Sequence, residues 1–475
     1  MGDGKMSDKH PSSLELASEM IDLDLNALND SDIAQLQRLI LDYAAVSLCG
    51  SIQPWGQKMR AWSQDQNASG PARLIGSGDL TNAATAALAN GTAAHGYELD
   101  DTHEASSSHP GAVVISAALA VAAESGSSGR EILAAIAAGY EAMTRIGRAA
   151  VSQEVTERGF HATCLFGPFG SAAAAAKLLG LDAEGLARSW GLALSMVSGS
   201  SQFAHEPQGT MVKRMHAGIP SMHGVLAAQL GKLGMTAPQN SLEGPLAFYH
   251  LYSANPKLDL LARKTGAPLE IHNISFKPYS CCRKFHSMID CLEIATENFT
   301  HDPADIAKVD VFSPANAIKK HAIRRPDSVM AAQYSMPYIT AATLAYGPKK
   351  YSAFETRYHY DPMIISLIDK TEAHHDPKLD GYLPDRMANR VTVTFADGRQ
   401  RSAEVTEALG SPNRPLSFDD VLEKAEPLID MVDPSMDLEM IANKVRDLPN
   451  MTDTDDLMRT LVAGNYDLTT TLAAE

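Results

Sequence analysis

The sequence predicts a mainly α-helical protein in which a large helical domain is interrupted by a smaller α+β domain. Residues 31 to about 242 are rich in alanine and place apolar residues at helical spacing. After about residue 270 strand-like alternation appears, and near residue 410 the helical pattern returns. We therefore expect a helical domain formed by residues 1–269 and 409–475, and an α+β domain formed by residues 270–408.

The helical part is expected to be a tightly packed bundle. The segment from Glu131 to Met143 places alanines on several faces of one helix. Small side chains let helix axes approach closely, so these residues predict helices buried among other helices.

The α+β part is expected to be a small sheet covered by helices. Residues 306–312 and 390–395 have strand patterns, and Asp397-Gly398 after the second strand is a strong hairpin signal. Two helices are predicted nearby, one over Met288, Leu292, Ala295 and Phe299 and one over residues 330–345. Further on, Ser417 and Asp420 form a capping-box-like start for the returning helix.

Composition excludes several classes of protein. The net charge of −17 disfavours binding to nucleic acid or to an anionic membrane, and requires a locally positive pocket for any polyanionic substrate. The first 16 residues lack the apolar core of a signal peptide, and no apolar stretch is long enough to span a bilayer. The five cysteines form no CxxC pair, so we expect free thiols and a cytoplasmic protein.

Two polar clusters lie between or before alanine-rich helices. The first runs from Tyr97 to His109, where carboxylates beside imidazoles could tune a general base, although the same residues could simply cap a helix and solvate a loop. In the second, His161 lies just before a helix N-terminus, which suits an anion, although a lone histidine is often structural.

Two further clusters are basic. Lys213 and His216 are three residues apart, and the apolar setting of Lys213 favours partial burial over the usual solvated lysine. Lys277, Arg283 and His286 lie near the expected domain junction, where Arg283 could hold a carboxylate in bidentate fashion or the segment could be a basic surface turn.

Other chemistries lack their motifs. His103 and His109 do not have HExxH spacing, and Cys281 and Cys282 are adjacent, so a metal centre is disfavoured. The chain also lacks a GxSxG elbow, a dinucleotide fingerprint and a glycine-rich phosphate loop. We therefore expect no cofactor and no metal.

Taken together, four motifs resemble the MmgE/PrpD family. They are Asn90-Gly-Thr-Ala-Ala-His-Gly-Tyr-Glu-Leu-Asp-Asp-Thr with His109-Pro-Gly, then Gly159-Phe-His, Lys213-x-x-His-x-Gly, and Lys277-Pro-Tyr-x-x-Cys-Arg-x-x-His-Ser. The resemblance extends from about residue 15 to residue 450. It implies a cofactor-free homodimeric enzyme with a cleft between a helical and an α+β domain.

The resemblance also implies the residues of the site. The expected catalytic residues are Glu98, His109, His161, Lys213 and His286. The expected substrate-binding residues are Asp101, Thr102, Tyr140, His216, Lys277 and Arg283. One departure is Glu98, which occupies a position where the family commonly has aspartate.

The function implied is proton transfer next to a carboxylate of a small di- or tricarboxylic acid. The first hypothesis is a lyase, either a dehydratase or a decarboxylase, acting on an acid such as 2-methylcitrate or cis-aconitate. The second is an epimerase or isomerase of a dicarboxylate such as iminodisuccinate. The third is a binding protein that has kept the cleft without its chemistry.

Overall fold

A computed structural model describes residues 10–206, 210–383 and 386–464. By internal packing the chain separates into two compact units, Met1–Gln202 with Met211–Ile274 and Leu428–Glu475, and Phe203–Thr210 with Ser275–Pro427. The ends of the predicted helical domain, residues 1–9 and 465–475, lie outside the described residues. The boundaries at residues 270 and 408 stay a prediction.

Helices dominate the described residues, as the composition predicts. In chain order they are α1 (Ser13–Asp22), α2 (Asp30–Ser51), α3 (Pro54–Asp65), α4 (Ala83–Ala94), α5 (Pro110–Ser125), α6 (Gly129–Ala149), α7 (Ser152–Glu157), α8 (Ala162–Leu178), α9 (Ala183–Leu194), α10 (Met215–Lys232), α11 (Phe248–Tyr252), α12 (His286–Ala295), α13 (Ala315–His321), α14 (Val329–Tyr334), α15 (Met336–Tyr346), α16 (Pro362–Asp369), α17 (Pro377–Asp380), α18 (Phe418–Asp430), α19 (Leu438–Asp447) and α20 (Asp455–Thr460).

The strands are short outside one sheet. They are β1 (Ala72–Arg73), β2 (Leu80–Thr81), β3 (Thr102–His103), β4 (Ile274–Ser275), β5 (Ile306–Ser313), β6 (Thr371–His375), β7 (Asn389–Phe395) and β8 (Gln400–Val405). The prediction of a mainly α-helical fold is confirmed.

In the first unit, helix α10 packs against α8 and α4, and α8 also packs against α5 and α6. Two glycines show how closely these helices approach. A Cβ on Gly170 of α8 would lie 2.9 Å from the carbonyl oxygen of Gly139 in α6, and one on Gly218 of α10 would lie 2.2 Å from that of Leu88 in α4. The alanine-rich surfaces therefore pack nearly backbone to backbone, as the sequence predicts.

In the second unit, a four-stranded sheet has the order β6-β5-β7-β8. Strand β5 pairs parallel with β6 and antiparallel with β7, and β7 pairs antiparallel with β8. Alternate residues of β5 and β7, such as Val309, Val311, Val391 and Val393, are buried in an apolar core with residues of α12 and α15. Both predicted strands and the hairpin after Phe395 are present.

Two predicted helices differ in length from the expectation. The helix from Met288 ends at Ala295, and Phe299 lies beyond it with a left-handed φ of 58°. The predicted helix over residues 330–345 is two helices that meet at Ser335, where the side chain caps α15 by accepting from the backbone N–H of Tyr338. Pro337 in the first turn of α15 lacks the N–H that a continuous helix would need there.

Candidate active site

The first polar cluster forms the turn between α4 and α5, and most of its residues are buried. His95 follows the last residue of α4, and its Nδ1 lies 2.6 Å from Oδ2 of Asp100. The same oxygen lies 3.5 Å from Nδ1 of His109, which precedes α5. Glu98 between them has a left-handed φ of 56°, a strained conformation for a residue with a side chain. One carboxylate therefore faces two imidazoles.

The hydrogen bonds of His109 define its neutral tautomer. Its Nδ1 lies 2.8 Å from the backbone carbonyl oxygen of Asp101 and 3.2 Å from Oγ1 of Thr102. A carbonyl oxygen can only accept, so the proton of the neutral ring is on Nδ1. Nε2 of His109 then carries the lone pair that a general base needs.

His161 and His216 complete a group of four imidazoles. The ring of His161, which precedes α8, lies 5.0 Å from that of His216, 5.8 Å from that of His95 and 6.3 Å from that of His109. The rings of His95 and His109 are 5.0 Å apart. Residues that are up to 121 positions apart in the chain thus form one imidazole cluster, defined as His95, His109, His161 and His216.

Burial favours the neutral form of three of these imidazoles. It lowers the pKa of His161 well below its ordinary value, and the neighbouring His95, His216, Lys213 and His109 lower it further. Burial also lowers the pKa of His216 to about 4, with His95 and Lys213 acting in the same direction. For His95 burial again lowers the pKa, although Asp100 opposes the shift. Neutral imidazoles can accept a proton, which is the property a general base requires.

A buried ion pair lies beside the cluster. Lys213 donates to Oε1 of Glu98, and Nη1 of Arg214 lies 3.0 Å from the same oxygen. The guanidinium of Arg214 also lies over the ring of Trp55, 4.9 Å from its centroid. Lys213, which the sequence predicts to be partly buried, is 2% exposed. Two cations facing one carboxylate leave a net positive charge, which suits an anionic substrate.

Asp101 and Tyr140 form a second buried contact behind the turn. The Tyr140 hydroxyl donates to Oδ2 of Asp101 at 2.7 Å, and the Gly111 N–H donates to Oδ1 at 2.8 Å. Burial raises the pKa of Asp101 to about 7, against the lowering effect of these two hydrogen bonds. Both side chains are satisfied by the protein, and their predicted contact with substrate stays a prediction.

The fourth cluster lies in the second unit. Nδ1 of His286 lies 3.2 Å from Nη1 of Arg283, and Nε2 lies 3.3 Å from the carbonyl oxygen of Cys281. Nη1 of Arg283 also donates to the carbonyl oxygen of Leu409 at 3.0 Å, and Lys277 is buried. Burial and Arg283 lower the pKa of His286 well below its ordinary value. These contacts favour a neutral His286 that accepts from Arg283. The predicted convergence of this cluster with the imidazoles stays a prediction.

Besides Asp310, Glu372 and His374 in the second unit, two groups of described residues at the candidate site have donor atoms that could hold a metal. They are His161, Cys164 and His216, and His95, Asp100 and His109, with ligand atoms within 4.8 Å of one another in each group. The first group would need a thiolate, but burial raises the pKa of Cys164 to about 12 and its thiol donates to the carbonyl oxygen of His216. The protonated thiol therefore disfavours a metal in the first group.

The structure thus brings together the predicted residues Glu98, Thr102, His109, His161, Lys213 and His216 within the first unit. It adds His95, Asp100 and Arg214, which sequence reasoning missed. Asp100 belongs to the acidic turn whose carboxylates the sequence offers either as helix caps or as groups that tune an imidazole, but no specific role was assigned to it, and His95 stands in the first motif without a role. Arg214 directly follows Lys213, and its burial could not be deduced from one basic dipeptide.

None of the described helices is both long and apolar enough to cross a membrane.

Comparison with known families gives two matches that together span most of the chain. Residues 14–261 match the MmgE/PrpD N-terminal domain, and residues 279–448 match the MmgE/PrpD C-terminal domain.

Three curated proteins illustrate the similarity. A cis-aconitate decarboxylase-like protein, oryM, of Aspergillus oryzae is 27% identical over 95% of this chain and 97% of its own length. A cis-aconitate decarboxylase of Aspergillus terreus is 26% identical over 91% of this chain and 92% of its own length. The cis-aconitate decarboxylase of Mus musculus is 25% identical over 94% of this chain and 95% of its own length.

Proposed function

The chain belongs to the MmgE/PrpD family, and on that premise we propose that it is a lyase acting on a small tricarboxylic acid, with cis-aconitate decarboxylation as the first activity to test. The relatives that share nearly its whole length are named for that reaction. A carboxy-lyase is thus favoured over the dehydratase that the motifs equally allow.

The observation that carries the proposal is the imidazole cluster beside the Lys213–Glu98–Arg214 ion pair. Decarboxylation leaves an electron pair on carbon, and a proton must then be added. An imidazole that has taken up a proton can deliver it to that carbon, and the two cations can bind carboxylates and stabilise the developing negative charge.

In the proposed reaction, the bond between the substrate carbon and one carboxylate breaks, and that carboxylate leaves as carbon dioxide. The electron pair spreads over the adjacent double bond, and a carbon of the skeleton receives a proton. We assign Lys213 and Arg214 to carboxylate binding and His161 to the protonation, with His109 exchanging a proton through Nε2. His161 is preferred for protonation because its ring is within 6.3 Å of the other three.

The test incubates the purified protein with cis-aconitate and measures released carbon dioxide. Citrate and 2-methylcitrate, followed by alkene absorbance, test the dehydratase alternative, and solvent-deuterium incorporation into a chiral dicarboxylate tests the epimerase alternative. Carbon dioxide from cis-aconitate supports the proposal. Deuterium exchange without alkene or carbon dioxide from any substrate would replace it with the epimerase.

We also propose a homodimer, which the family resemblance implies, and a cytoplasmic location. The five cysteines, Cys49, Cys164, Cys281, Cys282 and Cys291, are free thiols, which suits a reducing compartment. Sedimentation equilibrium would test the dimer, since a monomer of 50.9 kDa and its dimer differ twofold in mass.

A further inference from the structure

Asp100 is buried between two imidazoles, and neither it nor His95 has a role in the reaction proposed above. Its side chain is 4% exposed, and its Oδ2 contacts Nδ1 of both His95 and His109. We infer that Asp100 is a positioning residue, which fixes His95 as the Nδ1–H tautomer and stabilises the protonated ring of His109 when that ring takes up a proton. This inference rests on the proposed function for its kinetic consequences only.

The tautomer of His95 follows from the geometry. A carboxylate oxygen at 2.6 Å from Nδ1 accepts a hydrogen bond, so the proton of neutral His95 lies on Nδ1. Nε2 of His95 is buried, and within the described part of the chain it has no hydrogen-bond partner. His95 therefore carries its lone pair on Nε2, as His109 does, so the two neutral rings are the same tautomer.

The effect on His109 is electrostatic. Its Nδ1 already donates to the Asp101 carbonyl at 2.8 Å, which fixes the tautomer without Asp100. Asp100 at 3.5 Å adds a negative charge that favours the protonated ring. The same carboxylate thus orients one imidazole and raises the basicity of the other.

Other charged groups surround Asp100 and act on the same rings. Lys213 disfavours and Glu98 favours protonation of His95, and the carboxyl of Asp101 stands behind the turn. Asp42 lines a small cavity together with Asp100 and Asp101. Asp100 is buried among these acidic neighbours, and its contacts with the two imidazoles help to hold its negative charge.

The first test does not depend on substrate. In protein labelled with 15N at histidine, the NMR chemical shifts of the imidazole nitrogens report the tautomer of each ring. The signals of His95 and His109 are assigned by their disappearance from the spectra of His95→Gln and His109→Gln. We expect the Nδ1–H form for both rings in the wild-type protein. In Asp100→Asn, His95 should become a mixture of tautomers, while His109 should remain mostly Nδ1–H because Asp101 O is unchanged. A wild-type His95 protonated on Nε2 would overturn the inference, even if Asp100→Asn fails to fold.

The second test is kinetic. Asp100→Asn should lower kcat by about 10²- to 10⁴-fold with KM changed by less than about threefold. Because an anion is lost beside His109, the acidic limb of its kcat/KM profile should move to lower pH by about one unit. Asp100→Glu should restore part of the activity, since it keeps the charge. Asp32→Asn is the matched control, because Asp32 lies 2.7 Å from Nε2 of His272 in another imidazole–carboxylate pair of the first unit.

The outcomes separate the inference from the proposed function. If the wild-type protein leaves cis-aconitate, citrate and 2-methylcitrate unchanged, the proposed function fails, while the tautomers still test Asp100. If the wild-type protein is active and Asp100→Asn keeps its turnover and pH profile, the inference fails and the proposed function stands. An equal loss of activity in Asp32→Asn and Asp100→Asn would also contradict it, because the effect would then be one of stability.

Discussion

Lys213 and Glu98 form a buried ion pair across 115 positions of the chain. Both are 2% exposed, and Arg214 shares the carboxylate. Removing one partner of a buried pair leaves the other charge without full compensation, which commonly costs about 3–5 kcal/mol. The pair is therefore both a part of the candidate site and a determinant of stability.

Lys213→Met should lower the free energy of unfolding by about 2–4 kcal/mol, because Arg214 still faces Glu98. It should also raise KM and lower kcat together, since a cation for substrate carboxylate is lost. Urea unfolding and steady-state kinetics measure the two effects. Combining it with Glu98→Gln should lower stability further, because the buried Arg214 then loses the Glu98 carboxylate, and should not recover activity.

Lys177→Met is the control for Lys213→Met. Lys177 donates to the carbonyl oxygen of Ile21 at 2.6 Å and lies outside the cluster. Its replacement should leave KM and kcat unchanged. Wild-type kinetics in Lys213→Met would remove Lys213 from the site.

His161→Gln should lower kcat by about 10²- to 10⁴-fold and leave KM nearly unchanged, because it removes a general acid/base and no charge. The proposed protonation requires a protonated His161, and burial lowers the pKa of His161 well below 6.5, so kcat should fall with rising pH along a limb that lies below pH 6.5. His223→Gln is the matched control, because His223 lies half-buried on α10 and contacts the carbonyl oxygen of Met196. A normal kcat in His161→Gln would require another residue to protonate the product.

Asp101→Asn should change how stability depends on pH. The pKa of Asp101 is about 7 in the folded protein, against an ordinary value of 3.8 for an aspartate in an unfolded chain, so the folded state retains a proton between these pH values. The unfolded state binds fewer protons there, and Asp101 therefore makes the wild-type protein less stable as pH rises from about 4 to about 7.

The asparagine variant has no carboxyl to titrate, so its stability relative to wild type should rise over that range by roughly 3–5 kcal/mol. Urea unfolding of both proteins at about pH 4 and about pH 8 measures this difference. Parallel pH dependences would show that Asp101 titrates alike in the folded and unfolded chains.

Local patterns predicted much of the fold because they report local physics. Strands β5 and β7 alternate buried and less buried residues, and Asp397-Gly398 allows the left-handed turn after Phe395, where Gly398 has a φ of 86°. The break at Ser335 was missed because Met330 to Ala345 keeps helical spacing on both sides of it. Pro337 was the signal that could have placed this boundary.

The site was harder to predict because its geometry is tertiary. Motif resemblance grouped Glu98, His109, His161 and Lys213, but it gave no hydrogen-bond partners. The contact of Asp100 with two imidazoles depends on how the turn after α4 folds back, including the left-handed φ of Glu98. Glutamate rarely adopts a left-handed conformation, so its residue type does not predict this turn.

Gly218 connects the fold to this geometry and gives the last prediction. It lies in α10 two residues after His216, where a Cβ would be 2.2 Å from the carbonyl oxygen of Leu88 and 2.3 Å from Oγ1 of Thr92 in α4. Gly218→Ala would therefore have to push α10 away from α4, the helix that ends next to His95. Overpacking of this kind costs about 1–3 kcal/mol, and the shift should separate the His216 and His95 rings. We expect a lower midpoint of urea unfolding and a kcat reduced by at least about tenfold in the fraction that remains folded. Gly381→Ala is the matched control, since among the described residues a Cβ there meets only the carbonyl oxygen of Lys378, at 3.3 Å. If Gly218→Ala and Gly381→Ala were equally stable and active, α4 and α10 would have room for the added methyl group. Their close approach would then not position the imidazole cluster.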